Sequence, residues 1–91
     1  MNWFVYIIEC SDGSLYTGVS TDVARRFRQH AETSQGARFF RGRTPVRVVY
    51  VESGHSRSSA CKREAAIKRG SRDSKLALIA EASTVVVCAA P

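Results

Sequence analysis

No lysine or arginine precedes Arg25 and none follows Lys75. All 14 basic residues therefore crowd into a stretch that holds only four acidic ones, Glu32, Glu52, Glu64 and Asp73, a local charge of +10 in a chain whose total is +6. Cysteine is scarce and scattered: Cys10, Cys61 and Cys88 form no Cys-x-x-Cys pair and no Cys/His cluster, which argues against a structural zinc site. Three such thiols suit a reducing cytoplasm, the expected location. The N-terminus has no basic segment leading into a long apolar run, so no signal peptide is expected. No apolar stretch approaches the roughly 20 residues that span a bilayer. There are no repeats, no internal linker, and no asparagine after Asn2.

What is present is enough for one small domain. The chain has 91 residues, 44 % of them apolar, which supports a single modest core. That domain is placed at residues 1–82, with 83–91 as a tail. Charge concentrated as it is here attracts polyanions and makes their binding depend on salt. A solvated basic surface is the plainer alternative.

Asn2 to Cys10 is rich in β-branched and aromatic residues and reads as a strand; Leu15 to Ser20 reads as a second, joined to it by Ser11-Asp12-Gly13-Ser14. Two registers are possible. A two-residue Asp12-Gly13 loop puts Tyr6 and Tyr16 on opposite faces. A three-residue loop, with Gly13 left-handed, pairs Tyr6 with Gly18 and makes Tyr16 its diagonal neighbour, roughly 7–8 Å away on the same face. The second register is favoured, since it gives both phenols and the glycine one shared use, with Gly18 leaving open space beside the Tyr6 ring. Thr21 is expected to cap a helix from Asp22 to about Thr33, with Val23, Phe27 and Ala31 buried and Arg26 and His30 at the edge of the core.

Residues 34–44 show no clean period and read as a loop in which Arg38, Arg41 and Arg43 interleave with Phe39 and Phe40. That pattern suits a nucleic-acid backbone, although the phenylalanines also serve to anchor a loop. Pro45 opens a third strand through Glu52, broken at Ser53-Gly54-His55. Ser56 or Ser58 caps a second helix, with Ala60, Cys61, Ala65 and Ile67 inward and Gly70 at its C′ position. Ser71 caps a third, from about Arg72 to Ala82, with Leu76, Ile79 and Ala80 inward. Thr84 to Cys88 is either an added edge strand or a disordered end.

The ordered set Tyr6, Tyr16, Arg26, His30 and Glu64, on strand, strand, helix, helix and helix, resembles the GIY-YIG endonuclease superfamily. Val5-Tyr6-Ile7 stands at the first family triplet and Tyr16-Thr17-Gly18 at the second; Arg26 and His30 match the helical arginine and histidine, and Glu64 the metal-binding glutamate. The likeness runs from about Trp3 to Ile79 and is nearest to the small stand-alone bacterial members labelled UPF0213, in which runs similar to Asp12–Gly18 and Arg63–Lys68 recur. Val5 and Ile7 depart from the Gly-Ile order, Thr17 replaces Ile, and the late asparagine of some members is missing. The resemblance implies an α+β fold, a three-stranded antiparallel sheet flanked by about three helices.

It also implies chemistry. Glu64 is a hard oxygen ligand for Mg²⁺ or Mn²⁺; its plainer role is an ion pair with Lys68 or Arg63 on its own helix. Arg26 can grip a phosphate through paired N–H donors, or be one more surface charge beside Arg25. Tyr6 takes the place of the general base and needs nearby cations, because a phenol's ordinary pKa is about 10. Tyr16 would orient water or phosphate, and His30 relay a proton or hold a phosphate oxygen. Either tyrosine could instead be a packed ring with its hydroxyl at the rim, and His30 a capping or core-edge residue. Arg25, Arg38, Arg41, Arg43 and Lys68 are the expected DNA contacts. The implied activity is metal-dependent hydrolysis of single-stranded or structured DNA, in repair or recombination, by one chain or with a second copy or accessory protein. Alternatives are a nucleic-acid-binding module without catalysis, or an interaction protein that pairs through its tail.

Overall fold

The computed structural model of the chain describes residues 2–32 and 44–81. The expected loop, with Arg38, Arg41 and Arg43, and the expected tail lie outside the described residues, as does the side chain of Ala31. The elements run β1 (Trp3–Cys10), β2 (Leu15–Ser20), α1 (Val23–Glu32), β3 (Pro45–His55), α2 (Arg57–Arg69) and α3 (Arg72–Glu81). The strands form one antiparallel sheet in the order β2-β1-β3.

The hairpin takes the three-residue form. Gly13 has φ +85°, a left-handed conformation that its missing Cβ permits. Gly13 N–H donates to the Cys10 carbonyl and Cys10 N–H to the Ser14 carbonyl, both at 2.9 Å, while Asp12 Oδ1 accepts from Ser14 N–H. Tyr6 therefore pairs with Gly18 and Ile8 with Tyr16. The space beside Gly18 is not open, as the sequence suggests, but filled. A Cβ added there would lie 2.5 Å from the Tyr6 hydroxyl oxygen and 2.7 Å from ring atom Cζ, so the phenol lies across the glycine.

Side-chain alternation gives the sheet two covered faces. Tyr6, Ile8, Cys10 and Val48 pack on one side with Tyr16 and with Val23 and Phe27 of α1. Val5, Ile7, Leu15 and Val49 pack on the other against Ala60 and Ile67 of α2 and Leu78 and Ile79 of α3. β1 is central and its residues 5–8 are all buried, which is why that segment is a continuous apolar run.

Several boundaries differ from expectation. Asp22, not Thr21, caps α1: its Oδ1 accepts from Arg25 N–H at 3.0 Å. β3 does not break at residue 53 but runs to His55. Gly54, at φ +82°, lets the strand absorb an irregularity between the Trp3–His55 and Val5–Glu52 pairs. Gly70 ends α2 in an extended conformation, φ −77°, rather than a left-handed one. Ala60, Ile67 and Ile79 face the core as expected, joined by Leu78, but Cys61 and Ala65 of α2 and Leu76 and Ala80 of α3 are exposed. Helices this short bury a narrow stripe, and small residues fit the periodicity of either side.

α2 is held in place by a polar cluster. Glu52 on β3 accepts from the Tyr50 hydroxyl at 2.7 Å and from Arg63 Nε at 3.2 Å to each oxygen, and it lies 2.6 Å from His55 Nε2. His55 Nδ1 lies 2.9 Å from Ser59 Oγ, and Ser59 and Ser56 close a reciprocal cap at the helix start. At the other end, Arg72 of α3 donates to the Gly13 carbonyl at 2.6 Å, tying α3 to the hairpin turn.

The β2 strand offers two measures of stability. Thr17 is buried against the α2 side, and its Oγ1 has no hydrogen-bond partner among the described residues. Thr17→Val keeps the shape and removes an unsatisfied hydroxyl, so it should stabilise the fold by about 1 kcal/mol in urea unfolding. Gly18→Ala should cost about 1–3 kcal/mol, because the new methyl meets the Tyr6 ring. In a double-mutant cycle with Tyr6→Ala that penalty should shrink; an undiminished penalty would mean the clash lies elsewhere.

Candidate functional site

The site forms on the α1 side of the hairpin and continues past the β2 edge to α2. Tyr6 comes from β1, Tyr16 from β2, Arg26 and His30 from α1, and Glu64 and Lys68 from α2. The Tyr6 and Tyr16 ring centroids are 6.4 Å apart, as the diagonal register requires. His30 stands edge-on to Tyr16 at 5.4 Å between centroids, and its Nε2 lies 3.4 Å from the Tyr6 hydroxyl. That separation is long for a hydrogen bond and short enough for a proton-transfer pair to close.

His30 is not at the core edge but inside it, 4 % exposed, and Tyr6 is 1 % exposed. The i, i+4 spacing from Arg26 is correct, but the two differ in depth: His30, in the last turn of α1, is buried, while Arg26, a turn earlier, is exposed to solvent. Burial sets the protonation of both inner groups. It pushes the Tyr6 phenol well above its ordinary pKa, with Tyr16 and Glu64 adding to the rise and the Arg26 guanidinium opposing it. It pulls His30 below 6.5, and Arg26 lowers it further. At neutral pH the inner pair is a neutral phenol facing a neutral imidazole.

Arg26 is exposed and donates through Nη1 to Gln29 Oε1 at 3.3 Å. A polar cleft of about 240 Å³ opens beside it, lined by Ser20, Thr21, Asp22, Arg25, Arg26 and Gln29. Arg25 thus shares a concave surface with Arg26, where an extended anion has room.

Glu64 is partly buried, as its position between Ala60 and Ile67 suggests. Its Oε2 lies 3.3 Å from Lys68 Nζ, and that ammonium is 5.8 Å from the centroid of the Tyr16 ring. Arg63, the other partner open to Glu64 from sequence, is committed to Glu52. Among the described residues no three His, Cys, Asp or Glu side chains gather as a metal cluster. A lone carboxylate, partly open to solvent and already holding a cation, matches a weak site for a hard divalent ion whose other ligands are water and substrate oxygens. No helix of the described residues is long and apolar enough to cross a membrane.

Sequence reasoning missed the Tyr50–Glu52–His55–Arg63 cluster, which fixes the helix that presents Glu64. A weak signal existed: Tyr50 and Glu52 alternate onto one face of a strand, and Arg63 adjoins Glu64. Their meeting depends on β3 continuing to His55, where Ser53-Gly54 reads as a break.

Residues 2–77 match the family described as the GIY-YIG catalytic domain. A UPF0213 protein of Desulfotalea psychrophila is 51 % identical over 77 residues, covering 85 % of this chain and 70 % of that protein. A UPF0213 protein of Staphylococcus aureus is 50 % identical over 78 residues, covering 86 % of this chain and 94 % of that one. The solution NMR structure of a UPF0213 protein from Bacillus halodurans shares the fold with a TM-score of 0.59 and 43 % identity, over 91 % of this chain and 87 % of that one. GIY-YIG domains are nuclease domains that act on DNA and generally depend on a divalent metal. With that match over most of its length, the chain belongs to the GIY-YIG family, among its small UPF0213 members.

Proposed function

We propose that the protein is an endonuclease that hydrolyses phosphodiester bonds in single-stranded or structured DNA, with Mg²⁺ or Mn²⁺ held at Glu64. The observation that carries this reading is the convergence of Tyr6, Tyr16, His30, Arg26 and Glu64 from four elements onto one region. Arg26, exposed beside its polar cleft, binds the scissile phosphate and faces the charge that builds on it. Arg25 and Lys68 hold the strand on either side. Arg38, Arg41 and Arg43 are assigned to the same strand from sequence alone. The metal, when bound, supplies charge neutralisation and a more acidic water.

Burial changes the role given to Tyr6. A free phenolate is strongly disfavoured there, so Tyr6 does not wait in ionised form. As the attacking water approaches, the Tyr6 oxygen accepts its proton while the phenol's own proton passes to His30 Nε2. The tyrosine then stays close to neutral and the imidazole carries the charge, so the cost of burying a phenolate is avoided. Tyr16, edge-on to His30, orients the water and walls the pair from solvent. Repair or recombination is the setting in which cleavage of single-stranded or branched DNA is used.

Single-turnover cleavage of single-stranded, duplex and branched oligonucleotides in Mg²⁺ or Mn²⁺ tests the assignment. Glu64→Ala and Arg26→Ala should each lose about 10²-fold or more. Cleavage that survives both substitutions would reject the site. Binding without cleavage in either metal would instead favour a non-catalytic binding module, a reading supported by the near-complete burial of Tyr6. The His30 role has its own signature. His30 must be neutral to accept a proton, and its pKa lies below 6.5. The rate should therefore stay level from pH 8 to below 6.5 and fall only as His30 protonates. His30→Ala should cost about 10²-fold and abolish that acid limb. An acid limb centred above pH 6.5 would contradict the relay.

A further inference from the structure

The Lys68–Glu64 pair is a contact in the site that the reaction, as assigned, must break. Lys68 Nζ stands 3.3 Å from Glu64 Oε2, on the carboxylate that would hold a divalent ion, and it leans over the Tyr16 ring at 5.8 Å. The two side chains are 50 % and 23 % exposed, so packing does not lock them together. Arg63, which could have shared the load, is engaged on Glu52, its Nε 3.2 Å from each carboxylate oxygen. Among the described basic residues of α2, it is Lys68 that brings its ammonium to Glu64.

We propose that Lys68 is a built-in competitor of the metal: its ammonium occupies Glu64 until a divalent ion and a nucleic-acid strand together draw it away. This rests on Glu64 being the metal ligand. Three physical points carry it. An i, i+4 pair whose lysine is half exposed is weak, so a divalent ion can displace it. A positive charge left about 4 Å away still opposes the ion's approach, so affinity in the absence of DNA is held low. Lysine, unlike arginine, is a compact charge on a flexible stem with no fixed fork, and it can exchange a carboxylate for a phosphate without losing geometry. A strand lying over Tyr16 offers that phosphate. By linkage, strand and metal then bind with mutual reinforcement, because each removes the lysine from the other's path.

The test is Mn²⁺ binding, followed by loss of the free-ion electron paramagnetic resonance signal, with no DNA present. Lys68→Met should bind Mn²⁺ about 3- to 10-fold more tightly than the wild type, whereas Lys68→Arg, which keeps the charge on Glu64, should not. Circular dichroism and urea unfolding establish that each variant is folded. The effect of a strand is read in an Arg26→Ala background, which blocks cleavage. There a single-stranded thymidine oligonucleotide should tighten Mn²⁺ binding more when Lys68 is intact than when Lys68→Met is added, so that the two affinities converge. Equal Mn²⁺ affinities of wild type and Lys68→Met without DNA overturn the proposal, as does an oligonucleotide effect of the same size in both backgrounds. Glu64→Gln separates the two layers of the argument. If it binds Mn²⁺ as the wild type does, the metal role of Glu64 fails and the competitor role fails with it. If Glu64→Gln abolishes binding while Lys68→Met changes nothing, only the competitor role falls.

Discussion

Gly13 has a positive φ, and that closes the β1–β2 connection in three residues instead of two. A strand alternates its side chains with a period of two, so one residue more or less in the turn moves every β2 side chain to the opposite face. With the three-residue turn, Tyr6 and Tyr16 share a face, Gly18 lies under the Tyr6 ring, and Thr17 points into the opposite core. With a two-residue turn the phenols would part and no side-chain adjustment could reunite them. Arg72 binds the carbonyl of this same glycine, so the turn that sets the site's register is also where α3 is fastened.

The second constraint is the docking of α2. Its apolar contact is thin: only Ala60 and Ile67 are buried. Direction comes from the Glu52 cluster, in which a strand carboxylate receives Tyr50 and Arg63 and contacts His55. Burial alone would raise the Glu52 pKa, but these donors together hold it below the usual carboxylate value. The charge is thereby kept on β3, and Arg63 is kept off Glu64. The candidate metal ligand is left with Lys68, on the side of the helix that faces the tyrosines.

The third constraint is electrostatic. The innermost pair, Tyr6 and His30, is held neutral because charge in a buried position is costly, and Arg26 discourages a second positive charge nearby. The outer groups, Arg26, Glu64 and Lys68, stand in contact with solvent. In the proposed reaction the interior pair passes a proton while the bordering groups hold a phosphate and a cation.

Much of this was legible in the residues themselves. The strands followed from β-branched and aromatic runs, and the i, i+4 relation of Arg26 and His30 from helical periodicity; of the two registers open to the hairpin, the one with a three-residue turn was favoured for the shared use of Gly18 and both phenols. Partial burial of Glu64 followed from its apolar neighbours at i−4 and i+3. These are local quantities, decided by backbone sterics and by the period of each element. Tertiary packing alone decided that His30 is buried while Arg26 is exposed, which of Arg63 and Lys68 serves Glu64, and whether β3 survives Ser53-Gly54. It also decided that the Tyr6 phenol holds its proton more tightly than a free phenol, since its pKa depends on what covers it. Each of these is an outcome of contacts between elements distant in the chain, where a small rotation or a single competing carboxylate changes the partner, and no local pattern encodes that competition.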